Sequence, residues 1–158
     1  MKRALIPVFL VAVAIVVACS DDESTPQPKV FNINLLTANE TPPCPDAGVN
    51  AIGTATVTIP ADNQSVMVQV AYSGLSGPAT ASHIHSGTAA AAGPVVLPLS
   101  APLDSPFTKT VTAADYTPGT GTPPDFASFV TALKAGGAGY VNVHTGDCKP
   151  GEIRGEIQ

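Results

Sequence analysis

From residue 30 onward, apolar and β-branched residues recur at every second position, in runs of five to seven residues broken by proline, glycine, aspartate or asparagine. A period of two sends successive side chains to opposite faces of an extended chain, so each run reads as a strand with one face on a core. About eight segments read as strands, with the alternation plainest in the first three: Val30–Leu36, Gly53–Ile59, Val66–Tyr72, Thr80–His85, Val95–Leu99, Phe107–Val111, Tyr140–His144 and Glu152–Ile157. In VMVQVAY, Val66, Val68 and Val70 share one face. Asp62-Asn63 supplies a hairpin turn, and TANETPPCPDAGVN is a long, turn-rich connection carrying Cys44. Short strands with frequent turn residues predict an all-β domain, a Greek-key or immunoglobulin-like β-sandwich of about eight strands.

One segment keeps a helical period instead. Phe126, Phe129, Val130 and Leu133 fall at i, i+3, i+4 and i+7, a single apolar stripe. Thr122 as N-cap, Pro123 at the first helical position and Asp125 three residues after the cap predict a start there, and Gly136-Gly137 a stop. The expected helix therefore covers about residues 123–135.

The amino-terminal segment is of another kind. MKRALIPVFLVAVAIVVA opens with Lys2 and Arg3 and continues as an apolar run, too short to span a bilayer comfortably but suited to a signal peptide. Val16-Val17-Ala18-Cys19 resembles a bacterial lipobox, which implies cleavage before Cys19 and lipid attachment to its sulfur. SDDESTPQPK, polar, acidic and proline-containing, reads as a flexible tether. The expected organisation is a signal peptide at 1–18, a lipidated tether at 19–29 and one folded domain at 30–158. The expected location is the bacterial cell envelope, outside the cytoplasm. The membrane is a partner through the lipid anchor, which would be the outer membrane in a source with two membranes. Of the three cysteines, lipidation takes Cys19 and leaves Cys44 and Cys148, a pair expected to form a disulfide in an exported protein.

Charge excludes one class of partner. Lysine and arginine number seven against twelve aspartates and glutamates, and Lys2 and Arg3 lie in the leader. With no basic patch and few aromatic residues, the chain lacks the footprint of a nucleic-acid binder.

The chemistry concentrates in the histidines. There are three, and two stand one residue apart in ASHIHSG. On a strand, His83 and His85 project from one face, with Ile84 on the other. His144 ends a strand that presents Asn142 on its own face. If the two strands are close, three neutral imidazoles meet, a set that suits copper or zinc with one position left over. Asn142, Asp147 or a backbone carbonyl could then orient a ring. Histidines bracing loops are the competing reading. Glu152, Arg154 and Glu156 alternate with Ile153, Gly155 and Ile157, the pattern of a half-exposed strand, where Arg154 would make cross-strand ion pairs. Ser82 and Ser86 flank the histidines but sit in no nucleophile elbow.

The order of these motifs (NE…PPC, a valine-rich hairpin, SHIHSG, the helix, then YVNVHT…C…PGEIRGEI) resembles the CHRD domain, over roughly residues 29–158. The resemblance implies an exported β-sandwich module acting by binding, with a possible protein partner at the cell surface. The chain is also distantly similar to the copper/zinc superoxide dismutases. His83 and His85 match a His-x-His of that family, Val143-His144 a later ligand, and Cys44 and Cys148 its disulfide. It departs from them in having no fourth histidine to bridge two metals and no His- and Asp-rich zinc loop, and Arg154 lies in a different local setting. No catalytic residue is assigned.

Overall fold

The computed structural model describes residues 26–99 and 103–158. The expected signal peptide, Cys19 and most of the tether lie outside the described residues.

Eight strands form among the described residues: β1 (Lys29–Leu36), β2 (Ile52–Ile59), β3 (Ser65–Ser73), β4 (Ala79–Ser86), β5 (Val95–Pro98), β6 (Phe107–Thr112), β7 (Gly139–Thr145) and β8 (Ile153–Glu156). They pair antiparallel in one sheet of order β5-β4-β7-β8-β1-β2-β3-β6. The sheet has two arms, joined where Leu36 of β1 pairs with Arg154 of β8. Gly155 sits at this crossing because any side chain there would strike Ile33 and the Asn34 carbonyl. The inward residues of both arms merge into one apolar cluster. It contains Phe31, Leu35, Val57 and Val68 from one arm and Ile84, Leu97, Val141 and Ile153 from the other. This is the all-β, sandwich-like architecture expected of short alternating strands.

The helix, α1, runs from Phe126 to Ala135 and buries Phe126, Phe129, Val130 and Leu133, the expected stripe. It starts later than the expected residue 123. Asp125 is the N-cap, its side chain accepting the Ser128 N–H. Pro123 precedes Pro124, and a residue before proline is pushed out of the helical region, so the helix cannot begin at Pro123. Gly136 and Gly137, both at positive φ, end it as expected.

The carboxy-terminal strand corrects a second expectation. Glu152 and Arg154 are completely buried rather than half-exposed. The segment after β4 folds over this strand, and Arg154 Nη2 donates to the Thr88 carbonyl at 2.6 Å and reaches that of Ala91 at 3.5 Å. The Arg154 ion pair joins Glu156, two residues along the same strand, at 2.8 Å. Alternation along one strand carries no information about a loop from elsewhere that covers it.

Cys44 and Cys148 are joined by a disulfide across 104 residues of sequence. It ties the long β1–β2 connection to the loop between β7 and β8. Glu152 reinforces the join: its carboxylate accepts from the Gly48 and Ser76 N–H groups and from the hydroxyls of Ser76 and Thr145. Burial raises its pKa, but these four donors outweigh that and hold it below the usual value.

Candidate metal centre

Strands β4 and β7 are direct neighbours. His83 lies opposite Asn142 and His85 opposite Tyr140, while His144 faces Ala81. Ile84, Val141 and Val143 take the core face, so the histidines, Asn142 and Tyr140 share the outer face of this arm. That face is covered. His85, Asn142 and His144 are buried beneath the β4–β5 and β7–β8 loops, and His83 is half-buried.

The three rings converge. One nitrogen from each lies within 4.8 Å of the others, and His83 Nδ1 stands 3.0 Å from His144 Nε2. Ligand nitrogens around a tetrahedral zinc ion stand about 3.3 Å apart, so small ring movements would complete such a set.

The backbone fixes the tautomers of two rings. His144 Nδ1 lies 2.8 Å from the Lys149 carbonyl oxygen, and His85 Nδ1 lies 2.8 Å from that of Gly93. A carbonyl only accepts, so both Nδ1 atoms carry the proton and both Nε2 atoms present a lone pair. His85 Nε2 is buried and has no hydrogen-bond partner among the described residues. This is how proteins orient histidine ligands, through a hydrogen bond at the far ring nitrogen.

Electrostatics favours the neutral rings. Burial, with His144 and His85 alongside, lowers the pKa of His83 to about 4. Burial also lowers His85, against the pull of the Gly93 carbonyl, and lowers His144, against that of the Lys149 carbonyl. At neutral pH the centre is three uncharged imidazoles, the form that binds metal.

Tyr140 and Glu40 join the site without having been singled out in the sequence. Tyr140 stacks on His85, centroids 4.6 Å apart, and Arg154 lies 3.4 Å from the centre of the tyrosine ring. Its position in YVNVH, on one face with Asn142 and His144, was the available signal. Glu40 comes from the β1–β2 connection and had no such signal. Burial raises its pKa to about 7, partly offset by Arg154 and by the Asn142 side chain. Glu40 also explains Gly151, whose Cβ would collide with its carboxyl.

Of the other residues singled out, Arg154 supports Tyr140 and the covering loop. Asp147 is exposed in the β7–β8 loop, and it is the carbonyl of Lys149, two residues on, that faces His144. Ser82 donates to the Asn142 carbonyl at 2.7 Å, a structural bond. A cleft of about 180 Å³ lined by Thr80, Ala81, His83 and Pro98 opens beside His83. A larger cleft of about 550 Å³, past Glu156, is lined by Asn32, Asn34, Asn39 and Gln158 and has no histidine in its wall. No described helix is long and apolar enough to cross a membrane.

The family model described as CHRD domain matches residues 31–157, nearly the whole of the described chain. No curated protein and no solved structure matches the chain.

Proposed function

The chain belongs to the CHRD domain family, and on that premise we propose that it is a binding module of the bacterial cell envelope that holds one copper- or zinc-type ion through His83, His85 and His144. Cys19 carries its lipid anchor, and the segment up to residue 29 tethers the domain to the membrane. One observation supports the metal reading above the rest. Two backbone carbonyls take the Nδ1 protons of His85 and His144, so their Nε2 lone pairs face inward towards His83. A loop-bracing histidine needs one such bond. It has no need of a third imidazole at its other nitrogen.

The test is calorimetric titration of the disulfide-intact chain with Zn²⁺ and Cu²⁺ at pH 7.4, beside His83→Ala/His85→Ala. The expected result is one-to-one binding that the double variant loses. Because the rings must be neutral and burial lowers their pKa values, binding persists below the ordinary histidine range and falls as pH drops towards about 4, where His83 takes up its proton.

A metal-free protein-interaction module is the second reading. The contact between His83 Nδ1 and His144 Nε2 at 3.0 Å favours it, because the two rings can satisfy each other as a brace. No binding tighter than about 10 μM, about 7 kcal/mol, would decide for it. Superoxide dismutase-like catalysis is a third and narrower reading. Copper-loaded protein that speeds superoxide loss no more than free copper rules it out.

A further inference from the structure

We propose that the side-chain oxygen of Asn142 is the fourth ligand of this centre, making it a three-nitrogen, one-oxygen site for a divalent cation. The inference rests on the three-histidine reading and goes beyond it in naming the last donor and the class of ion.

The argument is one of lone pairs. His144 Nε2 carries no proton, since Nδ1 holds it against Lys149. Asn142 Oδ1 stands 3.0 Å from that nitrogen. An amide oxygen is also an acceptor only, so two lone pairs face each other inside a buried site; a proton on His83 Nδ1, 3.0 Å from His144 Nε2, meets one of them in the metal-free protein, and a cation would join both. In the structure it is the oxygen of the amide, not its NH₂, that faces His144. Asn142 is itself buried, and the strand pairing sets it directly opposite His83. Its oxygen is thus directed at the ligand nitrogen of His144.

The donor set has consequences for selectivity. Three imidazoles alone accept Cu(I), Cu(II) or Zn(II), but a hard amide oxygen in the fourth position favours the divalent ions. A donor already in place also costs less to bring to the ion than a water held from solution.

The experiment uses the full chain, disulfide intact, and three proteins: wild type, Asn142→Ala and Asn142→Asp. Zn²⁺ affinity is measured by competition with a chromophoric chelator. Co²⁺ reports coordination through its visible absorption. Circular dichroism and thermal melting of the metal-free proteins check the fold. Asn142→Ala is expected to weaken Zn²⁺ binding by about 10–100-fold and to change the Co²⁺ spectrum. Asn142→Asp, which restores an oxygen at the same place, is expected to bind at least as tightly as wild type. Should Asn142→Ala fail to fold, the aspartate variant and its Co²⁺ spectrum decide. Wild-type affinity and an unchanged spectrum in Asn142→Ala overturn the fourth ligand while leaving the three-histidine centre standing. So does equal weakening by both variants, which makes Asn142 only a support of the strand pair. If the wild type binds neither ion, the three-histidine reading fails and the fourth ligand with it.

Discussion

On the arm built from β1, β2, β3 and β6, the side chains that point away from the core, such as Asn32, Thr54, Gln69 and Thr108, meet solvent. On the arm built from β4, β7 and β8, the corresponding positions include Asn142, His144 and Arg154, and all three are buried. Both arms use the same alternation, and both place most of their valines and isoleucines in the shared core. They differ in what lies over the outer face. The first arm leaves it bare, so its polar residues are ordinary surface. The second arm covers it with three connections, and every polar group beneath them must find a partner or be costly. The four buried side-chain nitrogen and oxygen atoms without one among the described residues all come from residues tied to this covered face: Glu40 Oε1, His85 Nε2, Arg154 Nη1 and Glu156 Oε2. Polar chemistry held out of water is what a binding centre needs and what a folding core avoids.

The sharpest way to test this contrast is to empty the covered face of its arginine. Arg154→Leu leaves the Glu156 carboxylate without its cation and the Thr88 carbonyl without its donor. It should cost about 3–4 kcal/mol in urea unfolding. A loss below about 1 kcal/mol would mean that the covering loop opens readily and the two arms are alike.

Glu40→Gln gives the next largest effect, and it depends on pH. A carboxyl whose pKa rises from 4.5 to about 7 on folding supports the fold fully below pH 4.5 and loses that support as pH climbs through 7. Glutamine does not titrate. The variant should therefore match wild type near pH 4.5 and exceed it at pH 8 by on the order of 2–3 kcal/mol. The histidines work in the opposite sense. Their lowered pKa values support the fold above pH 6.5, and that support is lost as pH falls through about 4 for His83. Wild-type stability thus carries two opposed slopes between pH 4.5 and 6.5, and Glu40→Gln removes one of them. Denaturation midpoints across this range, metal-free, read the difference. A constant offset between the two proteins would place Glu40 in contact with solvent.

The smallest effect belongs to the bare arm. Gln69→Thr, between Thr56 and Thr108 on an open face, should shift stability by no more than about 0.5 kcal/mol at any pH. A larger shift would show that something covers this face too.

The same contrast explains how far the sequence could be read. The bare arm was legible nearly to the residue, because period-two alternation and the Asp62-Asn63 turn are local signals. All eight strands and the stripe of α1 could be found in this way, and the helix start moved only because Asp125, not Thr122, caps it. On the covered arm, His-x-His and Asn142–His144 announced a shared face, since spacing by two is also local. That β4 and β7 lie side by side, as a shared ion requires, is a long-range fact. So are the carbonyls of Gly93 and Lys149 at the histidines, the loop over Arg154, and Glu40, which arrives from a connection that shows no periodicity at all.

The disulfide gives the covered arm a history as well as a geometry. Cys148 is one residue from Lys149, whose carbonyl holds His144, and Cys44 lies on the connection that delivers Glu40. The strands are held by their ladders and by the apolar cluster between the arms. The lid over the histidines is pinned by a bond that persists only where thiols are oxidised. Before oxidation the chain would own a complete sheet with an unfastened centre. Reduction of that bond would loosen the lid over the histidines while leaving the strand ladders paired.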